Sequence, residues 1–167
     1  MIGVETDVSE DWDSGTDWEA LARRAVHAAV AHSRHPDLGA DSEISVKFTD
    51  DEEVRALNAA WRGKDKATNV LSFPMVGEDE LADAQLLGDI VLARAVCAAE
   101  AEGKQIPFDH HAAHLVVHGT LHLLGYDHET SDADAEEMES VERAALAAIG
   151  IADPYMTPNS PAKEVQS

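Results

Sequence analysis

At 167 residues the chain is long enough for one domain with a substantial core and short for two. Its 33 acidic against 12 basic side chains give a formal charge of −21, which disfavours indiscriminate binding to nucleic acid or anionic membrane but leaves room for a local basic site. A single cysteine excludes an internal disulfide, no apolar run approaches the roughly 18 residues of a membrane span, and the acidic N-terminus lacks a secretory signal, so a soluble cytoplasmic protein with no membrane partner is expected.

Residues 1–4 read as a short strand and 7–17 as a polar, acidic loop. Thr16 or Asp17 can cap a helix over 18–32, whose apolar positions Trp18, Leu21, Ala22, Ala25 and Ala29 keep helical spacing. A His-Pro-Asp-Leu-Gly turn follows at 35–39. Over 43–49 the pattern alternates, with Ile44, Val46 and Phe48 to one side and Ser45 and Lys47 to the other, as in a half-buried strand. Asp50, with Glu53 three residues on, predicts a capping box for a helix to about residue 61 with Val54, Leu57 and Trp61 inward.

Residues 62–66 leave that helix as a loop, and 69–73 form a short strand stopped by Pro74. An acidic loop at 77–85 leads to a strand over 87–92, apolar almost throughout and therefore central. The helix over 93–103 ends at its glycine and carries Cys97 as a small buried hydrophobe. Pro107 opens the next segment, with Asp109 as the expected cap, and the helix over 110–124 is apolar on most faces and so buried. A last helix over 132–149 places Met138, Val141, Ala145 and Ala148 inward. Asp134, Glu136, Glu137, Glu139 and Glu142 form its solvated face, and Gly150 ends it. The expected fold is α+β, a small mixed sheet of about four strands packed by about five helices. Residues 1–155 form a single domain, and 156–167 a flexible, proline-containing tail.

The chemistry concentrates in the buried helix. Among nine histidines, His110, His114, His118 and His122 recur every four residues. Each such step rotates about 40° around the helix, so neighbours share a face while His110 drifts away from His122. Gly125 suits a left-handed position at the helix end. The chain can reverse there and bring His128 toward His118 and His122, the C-terminal pair. These three are the expected ligands of one metal ion, with a fourth position open as in catalytic zinc sites. His114 is a candidate substrate contact or support for a ligand; His110 and His111 read as surface residues. Asp127 can order a ligand, act as an acid or base, or simply belong to the turn; Tyr126 packs.

The spacing H-x-x-x-H-x-x-G-x-x-H is shared with metzincin proteases, but Gly119 stands where those enzymes carry their water-activating glutamate. The metal frame is kept and the peptidase base is absent. A second constellation is basic: Arg55, Arg62, Lys64 and Lys66 fall within one short stretch of an acidic chain. Arginine beside a metal suits phosphoryl transfer, because the guanidinium fork stays charged and donates two hydrogen bonds to phosphate. A solvated loop is the bland alternative.

The run Asn58-Ala59-Ala60-Trp61-Arg62-Gly63-Lys64-Asp65-Lys66-Ala67-Thr68-Asn69-Val70-Leu71-Ser72-Phe73-Pro74, then Gly88-Asp89-Ile90, the block from His118 to His128 and Asp153-Pro154-Tyr155 resembles, in this order, the YbeY family of bacterial endoribonucleases. The resemblance implies a metal-dependent endoribonuclease specific for single-stranded RNA. Its role would be rRNA processing at the 3′ end of the small-subunit rRNA and ribosome quality control, with the small subunit and assembly factors as partners. It implies His118, His122 and His128 as zinc ligands and Arg62 as a functional arginine, so that Arg62 and His118 are the expected catalytic residues. Two other readings compete: a zinc peptidase or hydrolase, against which Gly119 speaks, and a non-catalytic ribosome-assembly protein with a structural metal, against which three ligands and an open position speak.

Overall fold

Period-two apolar patterning builds a four-stranded sheet in the computed structural model, which describes residues 2–12, 15–38, 41–127 and 131–155. The strands are β1 (Gly3–Val8), β2 (Glu43–Thr49), β3 (Val70–Pro74) and β4 (Leu86–Ala93), in the spatial order β1-β2-β4-β3. The first, second and fourth run parallel, and β3 pairs antiparallel with β4 as an edge. Among the described residues five α-helices pack around the sheet: α1 (Trp18–His32), α2 (Asp51–Arg62), α3 (Arg94–Lys104), α4 (Phe108–Leu123) and α5 (Asp132–Ala148). The α+β class, the strand count and the mixed pairing are those the sequence predicts.

The central strand serves two cores. Ile90 and Leu92 join Ile44, Val46 and Phe48 in the main core with α1 and α4, while Val91 and Ala93 face a smaller cluster with Val54 and Leu71. Full burial of each such aliphatic side chain contributes about 1.5–3 kcal/mol. α4 packs against α1, β3, β4, α3 and α5, which explains its nearly uniform apolar surface. No helix among the described residues is long and apolar enough to cross a membrane.

Several local expectations differ. The strand expected at 1–4 is β1, and it runs on to Val8. The acidic stretch after it contains a 3₁₀ turn, Glu10–Trp12, that buries Trp12 completely. The indole stacks on Phe108 with centroids 5.2 Å apart and donates to the Thr49 carbonyl at 2.8 Å. A lone aromatic among acids gives no periodic signal, so only tertiary packing reveals it.

Asp50 caps α2 by accepting from the Glu53 N–H at 2.8 Å. The capping box does not close, because the Glu53 carboxylate turns to the Lys47 ammonium and the Thr49 hydroxyl, each at 2.6 Å. Trp61 is 73% exposed rather than inward. Val54 is buried and Leu57 only half-buried, so the last turn of α2 projects beyond the packed patch.

The expected loop at 77–85 holds a 3₁₀ helix, Glu78–Asp83, that buries Leu81. Helix α3 passes through Gly103 and ends at Gln105, whose φ is 58°. Pro107, not Asp109, caps α4; Asp109 sits in the first turn, where its charge complements the helix dipole. In α5 the inner stripe is Met138, Glu142, Ala145 and Leu146, and Ala148 is exposed. The 156–167 tail, and Gly39 of the predicted turn, lie outside the described residues.

Candidate metal and phosphate site

Helix α4 carries His118 and His122 on one face, and each ring is oriented through Nδ1. The His118 Nδ1–H donates to Oε2 of Glu142 at 2.6 Å. The His122 Nδ1–H donates to the Tyr126 carbonyl at 3.0 Å. That carbonyl is presented by the chain reversal at Gly125, where φ is 100°. Tyr126 itself is anchored: its hydroxyl accepts the Arg34 N–H at 2.8 Å, and the Arg34 guanidinium lies 3.9 Å from its ring centroid.

With both δ hydrogens engaged by acceptors, the two Nε2 atoms turn toward each other at 3.1 Å. Two imidazole lone pairs at that separation repel unless a proton or a cation stands between them. Two nitrogens on one tetrahedral zinc, each about 2.0–2.1 Å from it, are about 3.3–3.4 Å apart. The pair therefore fits a metal. His128, the third expected ligand, lies outside the described residues. Among the described residues no group of three metal-binding side chains converges.

Glu142 was expected on a solvated face, yet it has no exposed surface. Beside the bond from His118, it accepts from the His114 Nε2–H at 3.1 Å and from the Tyr155 hydroxyl. Burial pushes the Glu142 carboxyl up, but the hydrogen bonds and charges of His114 and His118 outweigh it and hold the group well below the usual carboxylate range. Burial, then the adjacent Glu142 charge, push the Tyr155 phenol up, which keeps it a donor. Asp153 forms an ion pair with Arg143 at 3.1 Å, and the Arg143 guanidinium lies 5.4 Å from the Tyr155 ring centroid. This latch presents Tyr155 to Glu142. Helical spacing alone assigns a carboxylate in α5 to solvent; the signal that could have found it is the Asp-Pro-Tyr block following the helix.

His111 is also buried, contrary to expectation, with its Nε2 2.8 Å from Glu100. His110 is half-buried and Asp127 exposed. Cys97 is buried as expected, and desolvation pushes its thiol up, away from reactivity.

Arg62 closes α2 and is exposed. Its Nη2 donates to the Ser72 carbonyl at 2.9 Å, while the Ser72 hydroxyl donates to the Gly119 carbonyl at 3.2 Å. One residue of β3 thus joins Arg62 to the turn of α4 that carries His118. Lys64 and Lys66 are exposed on a loop that the buried Asn58 holds through the Lys66 carbonyl at 2.9 Å. Arg62, Trp61, Phe73 and Met75 line a cleft of about 720 Å³, together with Lys47 and the acids Glu5, Asp7, Glu53 and Asp89.

A family model described as Endoribonuclease YbeY matches residues 6–150. The chain is 54% identical over 165 residues to the Endoribonuclease YbeY of Rhizorhabdus wittichii, covering 93% of this chain and 97% of that one. To the Endoribonuclease YbeY of Erythrobacter litoralis it is 53% identical over 160 residues, covering 92% and 95%. The solution structure of TM1509 from Thermotoga maritima matches with a TM-score of 0.58 at 25% identity, over 89% of each chain.

Proposed function

The chain belongs to the YbeY family of endoribonucleases, and from that premise we propose that it cuts single-stranded RNA at one zinc ion held by His118, His122 and His128. The substrate is an rRNA precursor, cut in maturing the 3′ end of the small-subunit rRNA, and the same activity serves ribosome quality control. The protein works in the cytoplasm with the small subunit and its assembly factors, and residues 1–155 act as one catalytic domain.

The observation that carries this reading is the 3.1 Å approach of the His118 and His122 Nε2 atoms, each ring set by an acceptor at Nδ1. A bound zinc ion supplies Lewis acidity toward a phosphoryl oxygen and a water acidified toward neutrality. The protein supplies the rest. His118 and His122 turn Nε2 toward the metal because their Nδ1 hydrogens are held elsewhere. Arg62 donates to a non-bridging phosphate oxygen and offsets the negative charge that grows as the diester is attacked. A guanidinium has five N–H donors, and Ser72 engages one nitrogen, which leaves the fork oriented rather than consumed. Trp61, exposed beside it, offers a face on which an unpaired base stacks. This local positive centre answers the charge of −21 that otherwise repels RNA.

A peptidase reading is weakened by packing: a side chain at position 119 would run into Ile90 and Ser72, so no glutamate has room there. The test compares cleavage of end-labelled single-stranded and duplex RNA by zinc-loaded wild type and His118→Ala protein, purified identically. Cleavage confined to the single strand and lost in the variant supports the proposal. Equal cleavage by both proteins, or cleavage of model peptides in place of RNA, overturns it.

A further inference from the structure

We propose that Glu142 is the positioning residue for the metal centre: through His118 it sets the direction and donor strength of one ligand, and His114 and Tyr155 hold it there from behind. The inference rests on the metal reading above and adds a residue to it. Three observations carry it.

The first is the completeness of the burial. A carboxylate with no exposed surface is costly unless its oxygens are satisfied. Here three donors from two segments converge on it: His118 and, one turn earlier, His114 from α4, and Tyr155 from the block after α5. A carboxylate kept only to tie α5 to α4 has no need to point at the ring whose other nitrogen faces His122.

The second is the asymmetry of the pair. His122 is oriented by a neutral backbone carbonyl at 3.0 Å, and His118 by a carboxylate at the shorter distance of 2.6 Å. A negative charge behind an imidazole raises its basicity as a ligand. It also partly neutralises the two positive charges that a zinc ion would bring. The loss of Glu142 should therefore weaken the metal itself, not only the packing.

The third is the backing of Glu142. His114 Nδ1 is buried without a hydrogen-bond partner among the described residues. At Nε2 the ring meets the carboxylate at 3.1 Å and, at the longer distance of 3.5 Å, the Tyr155 hydroxyl that also donates to it. On the other side the Arg143–Asp153 ion pair at 3.1 Å presents Tyr155. The carboxylate is held between two groups and has one remaining direction, toward His118.

The experiment measures Zn²⁺ affinity of chelator-stripped wild type, Glu142→Gln and Tyr155→Phe by competition with a chromophoric chelator, with melting curves as the control for folding. In parallel, ¹⁵N-detected imidazole spectra of the stripped wild type read which His118 nitrogen carries the proton. A Gln side chain keeps the size but loses the charge, and turns an N–H₂ toward a site that three donors already occupy. The expected result is a folded Glu142→Gln protein that binds zinc about 10–100-fold more weakly, a smaller loss in Tyr155→Phe, and a His118 protonated at Nδ1. A folded Gln variant with wild-type affinity overturns the role of Glu142 alone. Should that variant not fold, a wild-type His118 protonated at Nε2 overturns the role in its place. A wild type that binds no zinc overturns the metal reading and this role with it.

Discussion

Gly119 lies so close to Ile90 that a Cβ on it would stand 2.9 Å from the Ile90 Cγ2. The Ser72 hydroxyl, which donates to the Gly119 carbonyl, would be 3.0 Å away. The helix with the histidines is thus pressed onto the central strand at the residue after His118. This contact leaves no room at position 119 for the glutamate that the same histidine spacing carries in metzincin proteases.

Gly119→Ala should destabilise the protein by about 1–3 kcal/mol, since Ile90 is a fully buried β-branched residue that cannot move aside. Gly103→Ala, in α3 with nothing within 4 Å of the added Cβ, should stabilise by about 0.5–1 kcal/mol. Urea unfolding of the two variants beside wild type checks both signs. A neutral Gly119→Ala would mean that α4 can slide on the sheet, and the close approach would lose its explanatory role.

Trp61→Ala should leave stability almost unchanged, because the side chain is 73% exposed. It should weaken the binding of short single-stranded oligoribonucleotides by about 1–3 kcal/mol, the range measured for a base stacked on an aromatic ring. Fluorescence anisotropy with Trp61→Ala and Trp61→Phe separates the cases: the phenyl ring should recover part of the loss. Identical affinities for all three proteins would remove Trp61 from the RNA path.

Much of the fold was legible because its signals are local. The alternation in β2, the Asp17-capped helix α1 and the i,i+4 pair His118 and His122 each depend on residues within a few positions of one another. What was not legible depends on partners far along the chain. Glu142 meets donors 24 and 28 residues upstream, and helical spacing assigns any carboxylate in such a helix to water. His111 is buried by Glu100 of another helix, and Trp12 by Phe48 and Phe108. The apolar periodicity of α2 points Trp61 inward, but no layer covers the last turn.

His111 also gives the protein an acid-sensitive point. Burial holds its imidazole below the ordinary histidine range, against the upward pull of Glu100. The folded-state value therefore lies below the unfolded one, near 6.5. As pH falls through that value the unfolded chain takes up the proton first, so stability drops until the folded protein can protonate as well. Between about pH 7.5 and about pH 5.5 the urea midpoint of His111→Gln should fall less than that of wild type. Equal falls would show that His111 does not contribute to the acid limb.

On the proposed function, RNA cleavage runs through a metal held by the histidine pair and a phosphate held by Arg62. The most direct test measures single-stranded RNA cleavage and bound zinc in the same samples: wild type, His122→Ala and Arg62→Ala, each stripped with chelator and then titrated with Zn²⁺. Wild type should lose cleavage on stripping and regain it as about one equivalent returns. His122→Ala should fail to regain either metal or cleavage, and Arg62→Ala should take up the metal yet cut about 10²–10³-fold more slowly. Cleavage that survives stripping, or that persists unchanged in His122→Ala, would place the reaction elsewhere than at the histidine pair.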